Sequence, residues 1–256
     1  MAPKRSWNDR LKRWEDARRE RIAIALLSPP EHTTIMQAIP YPGVVLIMGA
    51  RRKGKSGVAH KIMHVFHERR HLNGAIYLPP TFLHLKRKLE RLVPDWIQVV
   101  TSISRLPSNS VVLIDEAAQA AHARRTQSKT SVTLDNLIGI SGQRSQLILF
   151  VSHHSRKLDP NVVHECDRVL WKPPTYAHAL FERDEIHRFT FKALDFFEGL
   201  KSDKARLKAT LVMDFHHLRF STFNNELAPW WSEELSHLFE DFGEGIRWKG
   251  GETSDH

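Results

Sequence analysis

The chain has 256 residues, 41% hydrophobic and 26% charged, enough for one well-buried core with a small appendage and too apolar for global disorder. Its 38 Lys+Arg against 29 Asp+Glu give a formal net charge of +9, a balance that favours an anionic polymer or surface as partner. The single cysteine, Cys166, excludes an intrachain disulfide and a cysteine-based zinc cluster and fits a reducing, cytoplasm-like compartment; no apolar run approaches the roughly 18 residues of a membrane span, so membrane insertion is not expected.

Residues 1–35 form a basic segment. Trp7, Leu11, Trp14, Ile22 and Leu26 approximate helical spacing among Arg10, Lys12, Arg13, Arg18, Arg19 and Arg21, and Pro29-Pro30 ends the helix. Two readings stay open: an arm that grips nucleic acid or a neighbouring subunit, or a helix that packs its two tryptophans on the core.

Residues 36–205 carry a rhythm of short apolar runs and helical stretches. Strands are expected at 44–48, 75–78, 97–100, 111–114, 147–151 and 168–171, and helices at 55–71, 82–92, 131–141 and 176–198, with proline pairs falling between elements. This alternation predicts an α/β fold whose mostly parallel central sheet is flanked by helices. Residues 206–256 read as a C-terminal appendage: one or two edge strands within 209–223, a short capped helix after Pro229-Trp230-Trp231-Ser232, and a frayed end.

The first strand runs into Gly49-Ala50-Arg51-Arg52-Lys53-Gly54-Lys55-Ser56-Gly57, which fits the phosphate-loop pattern G-x-x-x-x-G-K-[ST] at every fixed position. Gly49 and Gly54 let successive backbone N–H groups turn inward on an anion, and the following helix aims its positive end at the same place. Lys55 is expected to reach the β- and γ-phosphates and the Ser56 hydroxyl to ligate Mg²⁺. Arg51, Arg52 and Lys53 add positive potential or point to water. The second anchor is Val111-Val112-Leu113-Ile114-Asp115-Glu116, a buried strand delivering two acids to the carboxyl edge of the sheet. Asp115 is placed to hold Mg²⁺ beside Ser56, and Glu116 to polarise the attacking water. No Asn-Lys-x-Asp motif for guanine appears, so ATP is the expected nucleotide.

A third stretch begins with Arg144 and runs through an apolar strand to Ser152-His153, polar groups that lie beside the γ-phosphate if this strand neighbours the phosphate-loop strand. With Arg156 to Asp159 and the later Lys172-Pro173, these pieces resemble the HerA–FtsK superfamily of DNA-pumping ATPases, which includes viral genome-packaging motors. The resemblance covers about residues 42–240; His153 stands where that family commonly has glutamine. It implies a RecA-like P-loop NTPase of the class with an inserted central strand and a catalytic glutamate. It further implies Ser152 and His153 as γ-phosphate sensors, and Arg144 as an arginine finger acting on a neighbouring subunit in a pentameric or hexameric ring. The implied partners are double-stranded DNA, further copies of the chain and a capsid or portal component, and the implied location is the host cytoplasm or the packaging vertex. Arg124, Arg125 and Lys129 are candidate DNA contacts, with Arg124 and Arg125 also rivals for the finger. Beside the packaging translocase stand a helicase or other polymer-moving ATPase and a slow nucleotide-dependent scaffold, which share these motifs.

Overall fold

A computed structural model describes residues 7–115, 136–158 and 160–238. The expectations for Glu116, Arg124, Arg125, Lys129 and Asp159 lie outside these residues. Strands β1 (Glu31–His32), β2 (Gly43–Met48), β3 (Asn73–Tyr77), β4 (Ile97–Val100), β5 (Ser110–Ile114), β6 (Gln146–Val151), β7 (Arg168–Trp171), β8 (Ala209–Asp214) and β9 (Arg219–Asn224) form one nine-stranded sheet in the order β1-β9-β8-β7-β2-β6-β5-β3-β4. All neighbours from β7 to β4 run parallel, whereas β8 is antiparallel to both β7 and β9.

The sheet separates two apolar layers because successive side chains of a strand point to opposite faces. Val45 and Ile47 of β2 pack into one layer with Val58, Ile62, Met63 and Phe66 of the helix α3 (Lys55–Arg70). Val44, Leu46 and Met48 enter the other, against Val162, Ile186, Phe189 and Ala193. Strands covered on both sides can be apolar throughout, which is why β2, β5 and β6 read as unbroken hydrophobic runs.

Four expectations change. Residues 209–223 were expected at the edge of the sheet, yet β8 and β9 lie inside it, and the two-residue β1 forms that edge by pairing Glu31 with Ser221 and His32 with Thr222. The stretch 82–92 opens as a 3₁₀ segment, Pro80–Leu85, in which Phe82 leaves the helical region at φ −105° and ψ 16°, before the α-helix Lys86–Leu92. The expected helix over 176–198 is two helices, Tyr176–Leu180 and Asp184–Glu198. The break serves Glu182, only 2% exposed, which accepts from Ser155 Oγ, from the Ser155 backbone N–H at 3.4 Å and from the Arg183 N–H at 3.0 Å. Finally, the helix α1 (Trp7–Leu27) buries Ala25 and rests Ile22 and Leu26 on the core, but Trp14 is 61% exposed with the Arg18 guanidinium 5.7 Å from its ring centroid. Trp14 therefore does not pack on the core.

The Trp230-Trp231 pair docks on the outer side of α3. Trp230 Nε1 donates to His60 Nδ1 at 3.3 Å, its ring meets Trp96 edge-on at 5.2 Å, and Trp96 stacks on His67 at 4.0 Å. Burial brings His60 down to about 4 and keeps the imidazole neutral. The capped turn Glu233–Ser236 follows, with Ser232 accepting from the Leu235 N–H.

Candidate nucleotide site

β2 ends at Met48 and the chain turns through Gly49 at φ +143° into a loop that closes at Gly54, φ +85°, where α3 begins. Gly49 has a second reason to lack a side chain: a Cβ there would lie 2.6 Å from the Lys172 carbonyl oxygen. The loop is tied down from behind, as the Ala50 N–H donates to the Pro173 carbonyl at 3.0 Å and the Lys172 N–H to Met48 at 2.8 Å. Gly54 caps α3 without a side-chain hydrogen bond, so the first N–H groups of the helix face the loop's concave side and suit an anion.

Four predicted residues meet at this point. Ser56 Oγ donates to Asp115 Oδ2 at 2.8 Å across the sheet edge. Lys55, 7% exposed, has its ammonium 2.9 Å from the Ala50 carbonyl and 2.8 Å from His153 Nδ1. An ammonium only donates, so His153 Nδ1 accepts and its ring proton sits on Nε2. The contact exists because β6 is inserted between β2 and β5, with Ile47 level with Val151 and Ile114 level with Phe150. Ser152, fully buried, directs its Oγ to the His154 carbonyl at 2.9 Å, and its N–H donates to Ile47. Ser152 therefore shapes the loop, while His153 faces the lysine.

Arg144 stands apart. It precedes β6, at the sheet edge opposite the phosphate loop, where Nη2 donates to the Leu106 carbonyl and Nε to Ser108 Oγ at 3.4 Å. It does not reach the nucleotide site of its own chain. The loop after β6 is instead held by Glu182, by Arg156 Nη2 donating to the Glu182 carbonyl at 3.2 Å, and by Arg183 donating to the Ser155 and Leu158 carbonyls at 3.2 and 2.9 Å.

A cleft of about 1020 Å³ opens over the loop. Besides Gly54 to Gly57, Asp115 and His153, it is lined by Leu207, Lys208, Asn225 and Leu227 on one side and by His60, Tyr77 and Trp231 on the other. The cleft rests on a residue whose role the motifs did not disclose. Lys172 is fully buried behind the loop, its Nζ donating to the Leu207 carbonyl (2.6 Å), the Ala209 carbonyl (2.7 Å) and Asn225 Oδ1 (3.1 Å). These partners are neutral, and burial brings the amine down to about 7. A lysine closing the apolar run Val169-Leu170-Trp171 was the available signal; Asn225 and Leu227 carried none.

The hydroxyl and carboxylate at 2.8 Å are hard oxygen donors beside a helix N-terminus and fit Mg²⁺, which Ser56 and Asp115 would hold. Among the described residues no group of three or more His, Cys, Asp or Glu side chains forms another candidate metal site, and no helix is long and apolar enough to cross a membrane.

A mostly parallel α/β sheet, a strand inserted between the loop strand and the acid-bearing strand, and a glycine loop opening a helix together give the chain the RecA-like fold of the P-loop NTPases. Solved structures share the fold, two of them viral packaging proteins. The genome packaging NTPase B204 from Sulfolobus turreted icosahedral virus 2, in complex with AMPPCP, is 13% identical with a TM-score of 0.51, over 73% of this chain and 98% of that one. B204, the DNA-packaging ATPase from Sulfolobus Turreted Icosahedral Virus, is 15% identical with a TM-score of 0.50 over the same shares. No family model matches the chain, and no curated protein matches it.

Proposed function

We propose that the chain is an ATP hydrolase coupled to movement of double-stranded DNA, a genome-packaging motor of HerA–FtsK type that works as a ring of its own copies. The observation that supports it best is the junction of His153 with Lys55 at 2.8 Å, beside Ser56 and Asp115, at the end of a strand lying between the two motif strands. In this reading, loop N–H groups and Lys55 hold the β- and γ-phosphates. Lys55 exchanges His153 for phosphate oxygen when the triphosphate arrives, and His153 Nε2–H then reports its presence to the loop anchored on Glu182. Mg²⁺, when bound by Ser56 and Asp115, neutralises charge on the phosphate oxygens. Glu116 orients the attacking water, and Arg144, tied to its own backbone at the far edge, acts only on a neighbour's nucleotide after exchanging those contacts. Arg124, Arg125 and Lys129 contact DNA phosphates in the pore, and the motor works in the host cytoplasm at the packaging vertex, docked on a capsid or portal component. The net charge of +9 supports an anionic partner.

ATPase rate against added blunt double-stranded DNA, with the assembly sized at several protein concentrations, tests the proposal. The motor reading expects stimulation that appears with the ring, and Glu116→Gln to retain ATP without turnover. Slow hydrolysis indifferent to DNA would overturn it in favour of a scaffold, and unwinding of forked duplex would make it a helicase.

A further inference from the structure

The cleft has a built end that the phosphate motifs do not use. Lys55, His153, Ser56 and Asp115 mark the side where the γ-phosphate and metal belong, and the loop's backbone cradles the α- and β-phosphates. The nucleoside therefore leaves from the other side of the α3 N-terminus, and there the chain presents two exposed leucines. Leu227, 55% exposed, places Cδ2 2.9 Å from where a Gly57 Cβ would stand, so Gly57 makes room for it. Leu207, 45% exposed, lies with its carbonyl oxygen 3.9 Å from the corresponding Gly54 position. Both line the cleft. Large apolar side chains held open beside an anion site suit the face of an aromatic base.

Asn225 lies between them and is only 6% exposed. Its Oδ1 accepts from Thr210 Oγ1 at 2.9 Å and from Lys172 Nζ at 3.1 Å. While Lys172 is an ammonium it only donates, and this holds the carboxamide oxygen toward the interior. The opposite end, Nδ2, is left as a donor that meets no acceptor among the described residues, on a side chain that lines the cleft. Nδ2 is therefore a donor open to the cleft, where a ligand or water can accept from it.

We propose that Leu207, Leu227 and Asn225 form the nucleobase subsite, the leucines packing on the base and Asn225 Nδ2 donating to a ring nitrogen or carbonyl on its edge. This rests on the reading that the glycine loop holds a triphosphate. Lys172 is then a positioning residue, fixing the amide orientation while bracing the loop from behind.

Calorimetric titration of the full chain with Mg-ATP and with Mg-tripolyphosphate, which lacks the nucleoside, tests the subsite. Asn225→Asp keeps an oxygen toward Lys172 and removes the donor, and Leu227→Ala removes the apolar plate. Each is expected to weaken ATP about tenfold, as lost base contacts do, while tripolyphosphate affinity stays within about twofold. Unchanged ATP affinity in both variants would overturn the subsite, as would equal loss of both ligands, which places the effect in the loop. A wild-type chain that binds neither ligand would overturn the triphosphate reading itself.

Discussion

Lys172 bears an unusual burden: an amine with no carboxylate beside it, enclosed by carbonyls and an amide within reach of the loop glycines. Its ordinary value of 10.5 is brought down to about 7 by burial. Between these values the unfolded chain holds a proton that the folded chain releases, so this group's contribution to stability rises as pH rises from about 7 to 10.5. The slope is at most about 1.4 kcal/mol per pH unit for one proton. Denaturant titrations at pH 7 and pH 9 are expected to show this increment in the wild type and its loss in Lys172→Met. An increment of the same size in the variant would mean the lysine keeps its charge in the folded protein. The phosphate loop and Asp115 were legible because their chemistry needs fixed spacing. The roles of Lys172 and Asn225 were not, because a side chain's hydrogen-bond partners are set by strands brought together from distant parts of the chain.

Among the elements, the loop between β6 and the helix Pro160–His164 has the clearest division of labour. Its first residue past Ser152 meets Lys55, and its next turn is pinned by Glu182 from the break between two helices. Apolar spacing alone continued the helix expected over 176–198 through Glu182, since the hydrogen bonds at the break involve Ser155 and Arg183. If, as proposed, the loop carries the response to the γ-phosphate more than its binding, Glu182→Ala lowers kcat about tenfold with KM for ATP changed less than about twofold. Equal loss in KM would make Glu182 a support of binding instead, and Glu182→Gln, which keeps the acceptor oxygen, should recover part of the rate. The strands were readable because each is a short run buried on both faces. The order in which they pair was readable only in part: β6 beside β2 stood as the condition under which its terminal polar pair meets the phosphate loop, whereas the inner placement of β8 and β9 depends on the two-residue β1, too short and too exposed to leave a pattern.

For the molecule as a whole, the sheet places everything chemical at one edge and Arg144 at the other. That separation keeps Arg144 away from the nucleotide site of its own chain, as the proposed ring has it, and α1, with Leu11, Trp14, Ile24 and Leu27 exposed, lies outside the nucleotide core. The proposed function depends before all else on the loop gripping a triphosphate between Lys55 and His153. A crystal structure with Mg²⁺ and a nonhydrolysable ATP analogue measures this directly. The γ-phosphate is expected to lie against Lys55 Nζ and His153, with the metal on Ser56 and Asp115; a loop that stays empty, or a phosphate bound away from these four residues, would contradict it.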